Sequence, residues 1–306
     1  MALLFSQIKP KATILGTLAL IVVVLAMYFV PVLGIVLTLF ATLPGIILWH
    51  RSVQSFGIAA LITIVVSTLT GNLYLMTFMI IVLVVSAIIG YLLQKRASKE
   101  RILYISTLVT SILTLIAMMI LQSMRQLPYA HELLTPYKNA VEQTTQIESL
   151  DAQTQEMLQT SIQQLAIQLP GLIVVMIAIF FIISLLIVFP ILRKFKIATP
   201  VFRPLYFWQV KRSVFGIYAL ALLVGILTES GTTANSISLN FQIVLGLLMV
   251  IQGLSFIHYV SMLKRMPKAV SVIFIIVGII FYPLTRLIGL LDLGLNLKRM
   301  IKNNKR

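Results

Sequence analysis

The chain has 306 residues, 59% of them hydrophobic and only 10% charged, with 24 Lys and Arg against 8 Asp and Glu for a net charge of +16. A soluble domain is about a quarter charged, so the composition excludes an ordinary soluble protein and makes lipid the solvent for most of the chain. There is no cysteine, which removes disulfides, thiolate catalysis and sulfur-ligated metal.

Seven long stretches carry no charged side chain: residues 12–50, 52–94, 102–124, 157–192, 213–228, 230–263 and 269–285. One helical crossing needs about 20 apolar residues. Lys9 and Lys11 before an apolar run resemble a signal peptide. The run continues past Pro31 to Trp49 with no clear small-residue cleavage site, so an uncleaved first helix is expected. Pro31 and Gly34 divide the first stretch into helix 1 (about 13–30) and helix 2 (about 33–49). Gly71-Asn72 is a strong turn dipeptide and divides the second into helix 3 (about 55–70) and helix 4 (about 74–93). Helix 5 (about 102–121) follows. Pro170-Gly171 is taken as the start of helix 6 (about 170–192), and then come helices 7 (214–229), 8 (240–263) and 9 (269–283).

Residues 124–168 hold five of the acids, Glu132, Glu142, Glu148, Asp151 and Glu156, and many glutamines. Thr145 and Glu148 fit a capping box, and Ile147, Leu150, Leu158, Ile162, Leu165 and Leu169 keep helical spacing. This segment reads as a water-exposed helical excursion outside the membrane, continuous with helix 6.

Basic residues orient the set, because cytoplasmic loops carry the excess of Lys and Arg. With the N-terminus inside, inner loops hold clusters such as Lys95, Arg96, Lys99 and Arg101, or Lys264, Arg265 and Lys268; outer loops hold only Arg125 and Lys138. Nine crossings would leave Lys298, Arg299, Lys302, Lys305 and Arg306 outside. Tyr282-Pro283 offers a break, after which Thr285, Gly289, Asp292, Asn296 and Arg299 form one polar stripe on an apolar helix. That helix either returns through the bundle or lies at an interface, and a cytoplasmic C-terminus is the preferred reading. The expected fold is an all-α polytopic bundle of eight to ten crossings in a bacterial plasma membrane. Its parts are residues 1–123 (five helices in hairpins), 124–168 (the extracytoplasmic excursion), 169–283 (C-terminal membrane helices) and 284–306 (an amphipathic basic segment).

Chemistry is sparse. His50, His131 and His258 each stand alone without a ligand partner at helical spacing. There is no GxxxxGK[ST] motif to power transport with ATP, no HExxH and no acidic dyad. No catalytic residue, metal site or cofactor is expected. Glu229 closes helix 7 on the outer side, Asn240 and Gln242 open helix 8 there, and Asn72 and Tyr74 lie at the outer turn between helices 3 and 4. These groups either converge on an outward-facing substrate pocket or simply wet the helix ends. On helix 8, Gln252, Ser255 and Tyr259 share a face suited to bonding across helices, while Gly246 and Gly253 permit close approach. Ala12 and Gly16 form a small-x-x-x-small pair for docking within this chain or against a partner. The loop 193–212 interleaves basic residues with Phe195, Phe202, Tyr206, Phe207 and Trp208, and between two spans this reads as an interfacial belt, not a nucleic-acid surface.

Four segments carry a family resemblance. They are the proline-broken FVPVLGIVLTLFATLPGIILW (29–49), SFGIAALITIVVSTLTGN (55–72), the basic LLQKRASKER (92–101) and the closing GLLDLGLNLKR (289–299). Over nearly its whole length the chain resembles the YybS-like family of uncharacterised bacterial membrane proteins. The first six helices also look like the substrate-capturing subunits of energy-coupling-factor vitamin transporters. That likeness implies docking of a coupling protein on small residues of helix 1, matched here by Ala12 and Gly16. The chain departs from those subunits by adding at least three helices and lacking their recognisable vitamin-binding residues. Two functional readings follow. One is a small-molecule transport component without its own motor, energised by a partner ATPase or coupling subunit. The other is a non-transporting envelope or regulatory scaffold that docks envelope proteins. Membrane lipids are partners in either.

Overall fold

The computed structural model describes residues 7–129, 132, 135–136, 152–229 and 231–303. His131, Lys138, Glu142, Glu148, Asp151 and the Thr145 capping box lie outside the described residues. The architecture is all-helical: α1 (Pro10–Phe29), α2 (Pro31–Thr38), α3 (Thr42–Arg51), α4 (Val53–Leu69), α5 (Leu73–Gln94), α6 (Lys99–Ser123), α7 (Ala152–Lys194), α8 (Arg212–Leu227), α9 (Thr233–Leu263), α10 (Lys268–Ile280), α11 (Tyr282–Leu295) and α12 (Leu297–Asn303), with a short 3-10 turn at Leu205–Phe207. Five of these helices are long and apolar enough to cross a bilayer. The pairs α2–α3 and α10–α11 are bent by 47° and 104° at their breaks, and α4 and α8 are shorter apolar helices.

Local chemistry explains the boundaries. Side chains of Ser52, Asn72, Ser98 and Thr232 accept the backbone N–H three residues on, capping α4, α5, α6 and α9. Gly71, at φ 67°, supplies the left-handed step that the Gly71-Asn72 turn requires. Helices α5, α6, α7 and α9 end differently: Arg96, Arg125, Lys196 and Arg265 take the left-handed conformation themselves. Behind each, an amide reaches back five residues, as from Ala97 to the Leu92 carbonyl and from Met266 to the Ser261 carbonyl. Glycine is the usual residue at such a stop. A cation there instead complements the negative end of the helix dipole.

Three boundaries differ from the sequence expectation. The stretch expected as helix 2 is two helices, because the chain bends between Thr38 and Thr42. Helix 8 begins at Thr233 rather than near residue 240, because Thr232 caps it. Pro170-Gly171 does not start a helix: α7 runs through it from Ala152 for 43 residues, about 64 Å. Its length, about twice the hydrocarbon thickness, agrees with the expected continuity between the excursion and helix 6.

The chain divides into two compact units, residues 1–126 with 176–202, and residues 127–175 with 203–306. The first unit is built on an apolar core of Leu20, Val23, Val24, Leu48, Phe56, Leu75, Met79, Val82 and Leu83. Small residues seat its larger ones. A Cβ on Gly16 would meet Leu48 at 2.5 Å, one on Gly90 would meet Trp49 at 2.7 Å, and one on Gly45 would meet Ser86 at 2.6 Å. The Leu39 carbonyl, at the α2–α3 bend, accepts from Ser184 Oγ at 2.8 Å. In the second unit a smaller apolar cluster, Val210, Tyr218, Met249 and Leu293, sits beside polar contacts between helices.

Candidate functional site

The second unit is organised on α9, which α11 crosses in backbone contact. A Cβ on Gly289 would lie 1.9 Å from the Met249 carbonyl oxygen, and one on Gly253 would lie 2.0 Å from that of Thr285. Only glycine at both positions admits this approach. It turns the polar stripe of α11 inward: Thr285 and Asp292 are 2% and 3% exposed, and Gly289 is buried. The Thr285, Gly289 and Asp292 part of the stripe packs on α9, whereas Asn296 is half-buried and Arg299 is exposed.

Around that crossing lies a connected polar network. Gln252, fully buried, donates through Nε2 to Asp292 Oδ2 at 2.5 Å and accepts from the Val210 amide at 2.9 Å. Asp292 Oδ1 accepts from the Lys298 amide at 3.0 Å, across the left-handed turn at Asn296. The Lys298 ammonium points at Ser255 Oγ (2.7 Å) and at the Trp208 carbonyl (2.9 Å). Ser255 Oγ lies 2.7 Å from each of the Leu205 and Trp208 carbonyls. Tyr259 Oη is 3.5 Å from the Lys298 carbonyl, and the His258 ring stands edge-on to Tyr206. Burial pushes the Lys298 amine below the ordinary lysine range, and the charge of Asp292 pulls it partly back. Gln252, Ser255 and Tyr259 thus tie α9 to the 203–210 segment and to the C-terminal segment. Lys298 reaches α9 between Ser255 and Tyr259, in the half that leads to Lys264 and Arg265. Both limbs of the α10–α11 hairpin therefore open toward the basic end of α9.

Arg286 was not singled out as a site residue by sequence reasoning. Its Nη2 donates to the Tyr218 hydroxyl, its guanidinium carbon lies 5.1 Å from the Tyr218 ring centroid, and its chain passes 3.7 Å from where a Cβ would stand on Gly246. Gly246 is about 20 Å along α9 from Thr233 and about 26 Å from Leu263, so the cation is held near the middle of the helix. The signal that could have found it is its place one turn after the Tyr282-Pro283 break in an otherwise charge-free stretch.

The residues expected to form an outer pocket are distributed between the units. In the first, Asn72 is the N-cap of α5, accepting from the Leu75 amide at 3.1 Å, and the Tyr74 hydroxyl donates to the Gln126 carbonyl. In the second, Glu229 lies exposed in the turn beyond α8, where its carbonyl accepts from Thr232 Oγ1 at 2.8 Å. Gln242 Nε2 donates to the Ala221 carbonyl (3.1 Å) and Ser238 Oγ (3.0 Å), helping to stitch α9 to α8. Asn240 does something unexpected. Its amide donates to the Ile167 carbonyl at 2.9 Å and accepts from the Gly171 amide at 2.6 Å. Those two groups would pair with each other in an unbroken helix. The asparagine re-satisfies backbone disturbed at Pro170, which is how a bilayer helix tolerates an internal proline. Asn235, not anticipated from sequence, donates to the Gly225 carbonyl at 3.2 Å.

Ala12 and Gly16 pack within the first unit, Gly16 against Leu48 of α3. Elsewhere in that unit, Ser106, Thr107, Thr110 and Ser111 of α6 bury hydroxyls that have no hydrogen-bond partner among the described residues. Nor does any group of three His, Asp or Glu side chains among the described residues gather as a metal site.

Residues 17–293 match the family model described as "Predicted membrane protein (DUF2232)". The chain is similar to the "Uncharacterized protein YybS" of Bacillus subtilis (strain 168), 36% identical over 137 residues, which cover 44% of this chain and 44% of that protein. The match thus spans less than half the length of that relative. No solved structure matches the chain, so the likeness of its first six helices to substrate-capturing subunits gains no support there.

Proposed function

The chain belongs to the DUF2232 family of predicted membrane proteins, and from that premise we propose that it is a small-molecule transport component without its own ATPase. The observation that carries this reading is the α10–α11 hairpin, bent by 104° within an apolar stretch, with Asp292, Gln252 and Arg286 gathered around it. A helix broken inside a bilayer leaves backbone groups and polar side chains at membrane depth. Such breaks are sustained where they line a solute site, and discontinuous helices form the binding sites of many transporters. Ionisable groups at that depth are costly, and in membrane helices they commonly mark substrate or ion pathways.

In this reading the protein sits in the bacterial plasma membrane with its N-terminus and C-terminus cytoplasmic. The shared end of Lys298 and Lys264 supports the second of these. The native chain has no cysteine, so single cysteines report topology cleanly. Met300→Cys and Arg265→Cys should resist an impermeant thiol reagent in whole cells, and Ala234→Cys, at an exposed position in the first turn of α9, should react. Labelling of Met300→Cys without Arg265→Cys would remove the cytoplasmic C-terminus. The functional reading is tested by purification in mild detergent. Co-purification of an ATPase or coupling subunit is the expected result. Recovery with envelope proteins alone would favour a scaffold and overturn the transport reading.

A further inference from the structure

Arg286 is a cation held beside the middle of α9, and no described residue serves it as a counter-ion. The ion-pair partners found among the described residues are Lys99 and Glu100, in the first unit, and no carboxylate lies within 4.0 Å of the Arg286 guanidinium among them. Asp292, the nearest acid along α11, is already committed to Gln252 and to the Lys298 amide. Tyr218 accepts one of the five guanidinium N–H groups and lends its ring face. An arginine at the centre of a membrane helix is costly to insert. The guanidinium packs over Gly246, where a Cβ would stand at an ordinary contact distance of 3.7 Å. The residue is half-buried, neither sealed in the core nor fully exposed. Its planar fork of donors matches an oxyanion in two-point geometry.

We propose that Arg286, backed by Tyr218 and lying over Gly246, receives the carboxylate or phosphate oxyanion of a ligand that enters the α9–α11 region. This deepens the transport reading and rests on it for the identification of that ligand as a transported solute. The same oxyanion could come from a water-soluble solute or from an anionic lipid headgroup, and the experiment separates the two.

The full chain is purified in a neutral detergent and melted with a panel of probes. The panel contains inorganic phosphate, citrate, octyl phosphate, octanoate, the neutral control octyl glucoside, and nanodiscs of phosphatidylcholine with or without phosphatidylglycerol. At least one anionic probe is expected to raise the melting temperature by several degrees. Arg286→Gln should lose that shift and Arg286→Lys should keep part of it. Stabilisation by the soluble anions assigns a solute, and stabilisation by phosphatidylglycerol alone assigns a lipid; both support an oxyanion site. No shift with any anion in the unmutated protein overturns the inference even if Arg286→Gln fails to fold. An unchanged shift in Arg286→Gln overturns it as well. Failure here is distinguishable from failure of the transport reading. A co-purifying ATPase with no anion effect sinks only the Arg286 site. An anion effect without any ATPase sinks only the motor-dependent transport.

Discussion

The two units hold their helices together by different chemistry. The first relies on shape: glycines opposite Leu48, Trp49 and Ser86, an apolar core, and hydroxyls that mostly bond back into their own helix, as Thr63 does to Ala59 and Ser67 to Thr63. The second relies on side-chain amides and charges that bond across elements: Asn235, Asn240, Gln242, Gln252, Asp292 and Lys298. In lipid there is no hydrophobic force between apolar helices, so both devices serve, but they differ in what they permit. Shape packing tolerates only one arrangement. Polar stitching can exchange partners with water or a solute, so the chemistry of this protein is expected where the amides and ions are.

The sharpest break in that comparison comes from glycine. Gly289→Ala sets a Cβ against the Met249 carbonyl, and Gly253→Ala sets one against the Thr285 carbonyl. Neither neighbour can rotate away, so each variant should cost about 3 kcal/mol or more, at the upper end of overpacking effects. Gly16→Ala meets only the Leu48 side chain and should cost about 1 kcal/mol. Denaturation in mixed micelles measures the three. Equal costs would mean that backbone contact does not govern the second unit.

Next in size is the buried acid. Asp292→Leu leaves the Gln252 amide and the Lys298 N–H without partners and should cost about 2–4 kcal/mol. Asp292→Asn retains an acceptor and should cost roughly half as much. Insertion should survive both, because leucine suits lipid, and the loss should appear as a lower melting temperature. A neutral Asp292→Leu would show that the network is ornamental.

The apolar segments were legible because charge-free windows and turn dipeptides are local facts. Gly71-Asn72 works as a turn for the reason its residues suggest, with a left-handed glycine and a capping asparagine. The shared face of Gln252, Ser255 and Tyr259 was legible from spacing, as was close approach at Gly253. What those side chains touch was not, since the partners are 40 to 50 residues distant in the chain for Gln252 and Ser255. Pro170 misled for the same reason. Locally it is a breaker, and Asn240, from another helix, takes up the backbone groups it frees as α7 continues. Pro283 marked a break correctly, but its place in the first turn of α11 meant that a new helix had begun. Arg286 stayed hidden because sequence shows a charge and not the depth at which it is held.

That splice at Pro170 predicts a smaller, coupled effect. Asn240→Ala removes the bridge between the Ile167 carbonyl and the Gly171 amide and should cost about 1 kcal/mol, typical of polar contacts between membrane helices. Pro170→Ala restores a helix N–H. In its background the Asn240→Ala cost should shrink, and a double-mutant cycle in melting free energy reads the difference. Strictly additive costs would show that Asn240 does not compensate the proline.

The smallest effect concerns pH. Burial lowers the Lys298 amine from its ordinary 10.5, with Asp292 opposing. A lysine whose folded pKa is depressed binds its proton more weakly in the folded state than in the unfolded one. Below the folded pKa both states are protonated and the full penalty is present. Between the folded pKa and 10.5 the unfolded state holds more protons, so stability should rise with pH across that window. The melting temperature of the purified protein should therefore climb slightly as alkaline pH approaches 10.5, before other lysines and tyrosines intervene. Lys298→Met should flatten the climb while lowering stability at neutral pH through its lost contacts to Ser255 and Trp208. An identical climb in Lys298→Met would assign the alkaline stabilisation to another group and leave Lys298 charged in a solvated setting.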